Sequence, residues 1–374
     1  MTSPVPSSKP VGIGFIGCGS VFEPYLALAR DLERRGLASV RAGCGRARQR
    51  TRVLDELRVP RFTEDSSELI GADDIDLVVI LTSSRDHAKL ARAALEVGKH
   101  VLVEKPLATT LEEAQTLVEL SKQSRGHLVA APFTVLSPTF QTIARRVRNG
   151  DIGQVALARA RYGWSGPDWS EWFYAKGGGA LFDLGVYSVT SLTGLLGPCR
   201  RVTAMAGSFY PERVVAGKSL RVEAPDNVQI LLQFGEATFA CVTTGFTIQQ
   251  YQRGPGIELY GTTGTLHLLG DDWDPDGYEI WRNAAGSWEL FKETTPEWPW
   301  TDGLPHLVGC IRSGAKPLVT PEHAAHVLEI MLAAEAAGRD GRAREIRSDF
   351  PPLALAAEQT NVAAHLIHDR TRKE

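Results

Sequence analysis

The chain has 374 residues, of which 43% are hydrophobic and 23% are charged, and its formal net charge is −3. This length exceeds what one hydrophobic core usually supports, so we expect two domains. The small net charge argues against a general nucleic-acid or membrane-surface binder, and no apolar run reaches transmembrane length. The five cysteines show no CxxC spacing, which predicts neither a disulfide framework nor a thiolate metal site and fits a reducing cytoplasm.

The beginning of the chain carries the pattern of a nucleotide-binding unit. Residues 1–10 are rich in Ser and Pro and are predicted to form a flexible tail. A strand over 11–16 then enters a glycine turn, and a helical pattern follows. In this context Gly17 permits the tight turn and Gly19 lets a pyrophosphate approach the backbone at the helix N-terminus. Phe22 stands where the usual fingerprint has its third glycine, so the GxG motif by itself is a weak signal.

The second predicted strand, 40–44, bears on the choice of cofactor. An NAD enzyme usually places an acidic residue near the end of this strand, where it binds the ribose 2′-hydroxyl. This chain has Gly-Arg-Ala-Arg at 45–48 instead, and between Arg30 and Arg61 it carries ten arginines against four acidic residues. Guanidinium groups bind phosphate through paired, charge-assisted hydrogen bonds, so the sequence favours NADP over NAD. The alternative is a solvated basic helix start.

Two further apolar runs, 76–81 and 100–103, lack alternation and predict buried parallel strands of a doubly wound sheet that extends to about residue 130. Ligands bind such sheets at the carboxyl ends of the strands, where Gly17, Thr82 and Lys105 would lie. Lys105 is therefore a candidate for chemistry. Pro106 after it stiffens the backbone and permits a cis peptide bond.

Three consecutive glycines, 177–179, precede an apolar pattern that predicts a buried helix ending at Gly197-Pro198. On such a helix Asp183 and Tyr187 stand four residues apart and share one face near the N-terminus. A carboxylate and a phenol placed together can orient a partner and transfer a proton. The alternative is an N-capping Asp beside a half-buried Tyr.

The second half of the chain is rich in alternating segments, which extend from Arg201 to Phe291 and predict an antiparallel sheet. Before them, six aromatic residues within 162–174 form either a loop core or, in part, a surface for sugar rings. Asp272–Gly277 starts like a calcium loop but lacks the final Glu, so we interpret it as an acidic turn. His323 and His326 have no supporting ligands and are given a structural role, so no metal site is predicted.

Three motifs occur in order over nearly the whole chain: the glycine turn at Gly17, Gly-Lys-His-Val-Leu-Val-Glu-Lys-Pro-Leu at 98–107, and Gly-Gly-Gly-x-Leu-x-Asp-x-Gly from Gly177. Together they resemble the glucose–fructose oxidoreductase / inositol dehydrogenase (Gfo/Idh/MocA) family. The resemblance implies an α/β fold: an N-terminal Rossmann doubly wound parallel sheet, assigned to 11–130, and a C-terminal α/β domain with a large, mostly antiparallel sheet, assigned to 131–374. It also implies a homodimer or homotetramer formed through one sheet face.

The implied activity is an NAD(P)-dependent oxidoreductase acting on a secondary alcohol or ketone of a sugar, sugar derivative or polyol. By the resemblance, Lys105 is the catalytic lysine and Asp183 lies beside it. Tyr187 stands where many members carry His as the proton-transfer group, which resembles the branch of glucose–fructose oxidoreductase, xylose dehydrogenases and dihydrodiol dehydrogenases. The same fold also supports NAD-dependent glycosidases and non-catalytic sugar sensors, and these remain the alternatives.

The predicted cofactor site comprises the glycine turn, one arginine and the ends of two later strands: Gly17, Cys18, Gly19, Ser20, Val21, Arg46, Thr82, Ser83, His87, Glu104 and Lys105. The predicted substrate contacts are three aromatic-loop residues and a histidine in a segment that resembles the family's pocket: Trp164, Trp169, Trp172 and His306.

Overall fold

The structure, a computed structural model, describes residues 9–249, 254–292 and 298–356, and the backbone of 365–368. Most of the predicted N-terminal tail therefore lies outside the described residues. The described chain divides into two compact units. The first contains the residues up to Phe133 together with Pro299–Leu328, and the second contains Thr134–Trp298 and the residues from Glu329 onward.

The first unit is built on a parallel sheet that has six strands among the described residues, in the order β3-β2-β1-β4-β5-β6. Outward growth in both directions from the first strand is the doubly wound Rossmann order, as predicted. The strands are β1 (Val11–Ile16), β2 (Ala38–Cys44), β3 (Phe62–Thr63), β4 (Leu77–Ile80), β5 (His100–Val103) and β6 (Leu128–Ala130). The helices between them are α1 (Phe22–Arg34), α2 (Ser66–Gly71), α3 (Ser84–Glu96) and α4 (Leu111–Gln123).

The central strands of this sheet are apolar on both faces because helices cover both sides. Every residue of β1 and β4 is buried. Helices α1 and α3 are amphipathic and bury one stripe each. Thr110 and Glu113 form a capping box at the start of α4, since each side chain accepts a hydrogen bond from the other residue's backbone N–H.

The second unit is built on a sheet that has ten strands within the described ranges, in the order β17-β8-β11-β12-β7-β13-β14-β15-β16-β18. All neighbouring pairs are antiparallel except β7 and β12, as expected for a mostly antiparallel sheet. Its strands are β7 (Val155–Gly163), β8 (Arg201–Gly207), β11 (Asn227–Phe234), β12 (Thr238–Gly245), β13 (Ile257–Gly261), β14 (Gly264–Asp271), β15 (Asp274–Arg282), β16 (Ser287–Lys292), β17 (Arg344–Glu345) and β18 (His365–His368).

A separate hairpin pairs β9 (Glu212–Val215) with β10 (Lys218–Arg221), and the sequence patterns did not predict it. These strands are charged and lack alternation. The turn between them places Ala216 at φ 48°, a conformation that alanine seldom adopts. The turn also lacks the Asn-Gly or Asp-Gly pair that usually predicts a hairpin from sequence.

The described residues contain four more α-helices: α5 (Pro138–Arg148), α6 (Val186–Leu196), α7 (Gly303–Ser313) and α8 (Pro321–Asp340). The first part of α8 belongs to the first unit and the second part to the second. Helix α6 packs on β7 and β12 and is buried along nearly its whole length. The sheet strands alternate accordingly, with one buried face and one open face, as in β11.

The segment Pro299–Leu328 groups with the first unit, whereas the sequence assigned it to the second domain. Helix α7 packs against α1, β1, β5 and β6, and its Leu304 and Leu307 are fully buried. Gly303 faces Phe133 so closely that a Cβ would lie 2.3 Å from its ring. An apolar helix face does not specify which core it covers, so sequence position alone misassigned this helix.

All five cysteines are free thiols, and all but Cys241 are buried. Burial raises the pKa of the Cys18 thiol to about 12 and that of the Cys44 thiol to about 11, so little thiolate is present at neutral pH. No helix in the described part of the chain is both long and apolar enough to cross a membrane.

Candidate active site

The glycine turn after β1 combines one tightly packed glycine with one open glycine. Gly17 has φ +102°, and a Cβ on it would lie 2.6 Å from the backbone of Leu81. Its N–H donates to the carbonyl of Cys44 at 2.9 Å. By contrast, no heavy atom lies within 4 Å of a Cβ built on Gly19, just before the N-terminus of α1. The turn therefore leaves the approach to a helix N-terminus open, as a dinucleotide pyrophosphate requires.

Phe22 explains how this turn works without the third glycine. The ring is fully buried and packs edge-on against Phe15, with centroids 5.3 Å apart. The side chain thus contributes to the core between α1 and β1 instead of blocking the turn.

The remaining residues of the turn differ in what they present to a ligand. The side chain of Cys18 is buried, and its carbonyl accepts hydrogen bonds from Gln49 Nε2 at 2.6 Å and Arg52 Nη1 at 3.3 Å. Ser20 is exposed and Val21 is half-buried. Cys18 consequently holds the loop shape, whereas Ser20 and Val21 stand at its surface.

Two arginines after β2 have charges that no carboxylate neutralises among the described residues. Arg46 and Arg48 are exposed and form no ion pair there. Nearby arginines are paired, Arg50 with Glu64 at 3.7 Å and Arg52 with Glu23. Part of the arginine excess seen in the sequence is neutralised in this way, and Arg46 and Arg48 keep their charges where the ribose end of a dinucleotide is expected.

His87 joins the ends of two strands instead of offering a nitrogen to a ligand. It is 1% exposed; its Nδ1 lies 2.7 Å from the carbonyl oxygen of Pro106 and its Nε2 lies 3.1 Å from that of Thr82. Both ring nitrogens are therefore occupied by the protein, so these two atoms are directed at backbone carbonyls. Ser83, by contrast, is exposed at the start of α3.

Glu104 positions the backbone of the candidate lysine. Its buried carboxylate accepts a hydrogen bond from the Tyr25 hydroxyl at 2.7 Å and another from the Lys105 N–H at 3.1 Å. Lys105 itself is half-buried and precedes a cis peptide bond to Pro106. Because β1, β4 and β5 are neighbours, the sheet brings Gly17, Thr82 and Lys105 to one edge, as expected.

The glycine triplet leads into a wider helical turn than the sequence predicts. Leu181–Gly185 is π-helical and continues into α6, with Ala180 at its N-cap position. Asp183 therefore lies inside the helical segment, and the alternative of an N-capping Asp is wrong. A Cβ built on Gly178 would lie 2.4 Å from the Trp172 carbonyl oxygen, and one built on Gly179 would lie 2.8 Å from the Pro225 carbonyl oxygen. The chain therefore needs glycine at both positions where it enters the helix.

Tyr187 is the polar residue that α6 leaves half-exposed. The other α6 residues are buried except Leu196, and Asp183 just before the helix is also half-buried. The Tyr187 ring packs edge-on against Tyr162 at the end of β7, with centroids 5.7 Å apart and an interplanar angle of 86°. This contact restrains the phenol without enclosing it.

The aromatic loop divides into a core part and an outward part. Phe173 and Tyr174 are buried with Phe246, whereas Trp169 and Trp172 are 56% and 54% exposed. Trp164 is half-buried and stacks on Trp169 at 5.6 Å. Two tryptophan faces are therefore available at the surface of the second unit.

Arg213 on β9 anchors this loop. Its guanidinium donates to the carbonyls of Ser165 and Phe246 and lies 5.3 Å from the centre of the Tyr174 ring. It also forms a 3.5 Å ion pair with Asp226, which is fully buried. The unpredicted β9–β10 hairpin thus holds the aromatic loop in place.

The other singled-out histidines have structural contacts. His306 Nε2 accepts a hydrogen bond from the Leu318 N–H at 3.0 Å, which leaves Nδ1 for any substrate. His323 is buried, and burial together with nearby His326 lowers its pKa to about 3. In the described part of the chain no group of three His, Cys, Asp or Glu side chains is placed to hold a metal ion.

Sequence reasoning missed the residues that support the site from a distance. Tyr25 is 79 positions from Glu104, Gln49 is 31 positions from Cys18, and Arg213 is 48 positions from Ser165. None belongs to a local motif, so only folding reveals these contacts.

Comparison with known proteins defines the class. Residues 11–131 match the oxidoreductase family with an NAD-binding Rossmann fold, and residues 140–267 match the GFO/IDH/MocA C-terminal domain. These matches together span more than half of the chain, which therefore belongs to the Gfo/Idh/MocA family. It is a nicotinamide-dependent oxidoreductase.

The relatives of this chain include several named dehydrogenases. Trans-1,2-dihydrobenzene-1,2-diol dehydrogenase of Bos taurus is 23% identical over 337 residues, covering 84% of this chain and 94% of that protein. D-apiose dehydrogenase of Paraburkholderia graminis is 23% identical over 358 residues, covering 89% of each chain. The structure of levoglucosan dehydrogenase in complex with NADH and levoglucosan is 19% identical and superposes with a TM-score of 0.80, covering 90% of this chain and 99% of that one.

Gly19→Ala tests the nucleotide site. The added methyl meets no protein atom within 4 Å, so the free energy of unfolding should change by less than about 0.5 kcal/mol. A pyrophosphate against the backbone would meet the methyl, and we expect the Kd for the dinucleotide to rise about tenfold or more. Titration by nicotinamide fluorescence measures this effect. Gly71→Ala, equally open but at the end of α2, is the matched control, and an unchanged Kd in Gly19→Ala contradicts the assignment.

Proposed function

We propose that this enzyme interconverts a secondary alcohol and a ketone on a sugar, sugar derivative or polyol, with Tyr187 as the proton donor and acceptor. The observation that carries the proposal is the half-exposed Tyr187 phenol on an otherwise buried helix, restrained by Tyr162. The relatives named for a dihydrodiol, apiose and levoglucosan support this substrate class, because all three compounds carry carbinol groups.

In this proposal, side chains of the protein transfer the proton that accompanies hydride transfer. A nicotinamide cofactor, held by the glycine turn at Gly17 and Gly19, would supply the hydride acceptor for oxidation and the hydride donor for reduction. During oxidation the Tyr187 oxygen takes the proton of the substrate hydroxyl, and during reduction it gives the proton back. An ammonium beside a phenol lowers the pKa of that phenol, which is the proposed role of Lys105. Asp183 would keep Lys105 charged and oriented, while Glu104 fixes the Lys105 backbone.

The aromatic loop supplies the proposed substrate surface. Trp169 and Trp172 present exposed faces, and Trp164 supports Trp169 by stacking. Aromatic faces suit the apolar sides of sugar rings. His306 enters this proposal only through Nδ1, since its other nitrogen is bound within the protein.

Tyr187→Phe tests the proton role. We expect turnover to fall about 10²-fold or more, because the hydroxyl that transfers the proton is gone. The assay is nicotinamide absorbance over a panel of sugars and keto-sugars, with the Kd for the dinucleotide and the melting temperature unchanged. Tyr260→Phe, which removes a hydroxyl that donates to Glu258 on the same strand, is the matched control. Unimpaired turnover in Tyr187→Phe would remove this residue from the mechanism.

For the cofactor we propose a preference for NADP, supported by the uncompensated charges of Arg46 and Arg48. The double variant Arg46→Ala/Arg48→Ala should weaken NADP binding about tenfold or more and leave NAD binding nearly unchanged, because only NADP carries the 2′-phosphate. Isothermal titration with both dinucleotides measures this difference. Arg50→Ala, whose guanidinium already pairs with Glu64, is the control. Tighter binding of NAD than of NADP by the unmodified enzyme would overturn the preference.

We also propose a homodimer or homotetramer formed through the open face of the large sheet. Leu157 and Phe239 are register partners on β7 and β12 and are 52% and 45% exposed, and Leu231 and Met205 on the neighbouring strands are 55% and 80% exposed. Exposed apolar side chains grouped on one sheet face favour association.

Phe239→Asp should dissociate the oligomer, because a charge in an apolar contact loses its hydration. Light scattering after size exclusion measures the mass. Val97→Asp, a change at a 58% exposed position in the first unit, should leave the mass unchanged. A Phe239→Asp protein with the mass of the unmodified enzyme would exclude this face as the interface.

A further inference from the structure

The turn between β14 and β15 brings two polar groups into the core of the second unit. Asp272 is 4% exposed, and its Oδ1 has no hydrogen-bond partner among the described residues. The indole Nε1 of Trp273 is likewise buried and unpartnered there. From sequence this stretch was an acidic turn, which normally faces solvent, so its entry into the core requires an explanation.

Asp272 contacts the helix that carries Tyr187. The Ser191 hydroxyl donates to Asp272 Oδ2 at 3.1 Å and lies 3.0 Å from Thr134 Oγ1. Ser191 is four residues after Tyr187 on α6, so the two side chains lie on the same face, one turn apart. The buried carboxylate is therefore attached to α6 one helical turn from the residue that carries the phenol.

Trp273 is linked to the same tyrosine through an aromatic neighbour. Its ring lies 6.1 Å from that of Tyr162, and Tyr162 packs edge-on against Tyr187. The turn thus contacts the surroundings of Tyr187 at two places: Asp272 binds α6, and Trp273 lies near Tyr162, the aromatic neighbour of Tyr187.

We propose that Asp272 and Trp273 are positioning residues for Tyr187: Asp272 holds α6 through Ser191 and places a charge one helical turn from Tyr187, while Trp273 packs near the Tyr162 ring. This inference rests on the proposed proton role of Tyr187.

Charge makes the proposal testable. Burial, reinforced by the neighbouring carboxylate of Asp271, raises the pKa of Asp272 from 3.8 to about 7. Hydrogen bonding to the Ser191 hydroxyl, and to the backbone N–H groups of Asp272 and Trp273, opposes this shift. Among the described residues, the ionisable groups near the turn include Asp271 beside it, Asp274 and Asp276 on β15, and the phenols of Tyr162 and Tyr187. Helix α6 and the Thr134 segment present hydroxyls. Above neutral pH, Asp272 is increasingly ionised, and in this proposal its negative charge disfavours a Tyr187 phenolate.

Asp272→Asn keeps the shape of the side chain and removes the titration. We expect the rising limb of kcat for alcohol oxidation to move about 0.5–1 pH unit lower, since the phenolate forms more readily without the buried charge. The KM for the dinucleotide should stay unchanged. Asp276→Asn removes the same charge from an exposed position on the same hairpin and should leave the profile in place. An unshifted limb in Asp272→Asn overturns the proposal.

Stability provides a readout that does not depend on activity. A carboxyl whose folded pKa is raised loses stability as pH rises from its unfolded value towards its folded one, here between about pH 4 and 7. The melting temperature of the unmodified enzyme should fall over this range relative to Asp272→Asn. Ser191→Ala should extend the fall to higher pH, because the hydrogen bond that favours the carboxylate is lost. Parallel melting curves for all three proteins would contradict the assigned titration.

The two proposals fail separately. Full activity of Tyr187→Phe would remove the proton role and, with it, the link to Asp272, even if the stability data confirm the titration. Loss of activity in Tyr187→Phe with coincident profiles for Asp272→Asn and the unmodified enzyme would overturn only the positioning role.

Discussion

The second unit depends on the burial of α6 against the large sheet. A helix enclosed on nearly all sides needs partners for every polar group, and its threonines provide some of them: Thr190 donates to the Val186 carbonyl and Thr193 to the Val189 carbonyl. The same enclosure explains the glycine triplet, since the chain enters the helix against the carbonyls of Trp172 and Pro225. Tyr187 stands out because it is the polar position of the helix that packing leaves partly open.

In the first unit the parallel sheet provides the organising constraint. Parallel strands end at one edge, so the loops after β1, β4 and β5 converge regardless of their separation in sequence. Two buried side chains then tie these loops together. His87 spans the carbonyls of Thr82 and Pro106, and Glu104 links Tyr25 to the Lys105 backbone. A residue near a ligand site can therefore be essential to its shape without touching the ligand.

Much of this architecture was predictable because it is encoded locally. The strands β1 and β5 have the predicted ends, since an apolar run bounded by Gly or Lys is a short-range signal. The failures are non-local. The helical segment around Asp183 begins earlier than its sequence pattern indicates, and it begins with a wider, π-helical turn. Helix α7 packs in the core of the first unit although it follows the strands of the second unit in sequence. In both cases packing against distant elements outweighs local preference.

The sequence by itself determined the Rossmann order, the open Gly19, the glycine-rich entry to α6 and the family. These features depend on backbone conformations and periodicities that neighbouring residues specify. The tertiary structure alone decided that His87 faces inward, that the β9–β10 hairpin anchors the aromatic loop, and that Asp272 lies buried against Ser191 of α6. The burial and charge environment of a side chain depend on residues far along the chain, and no local pattern records which of them will meet.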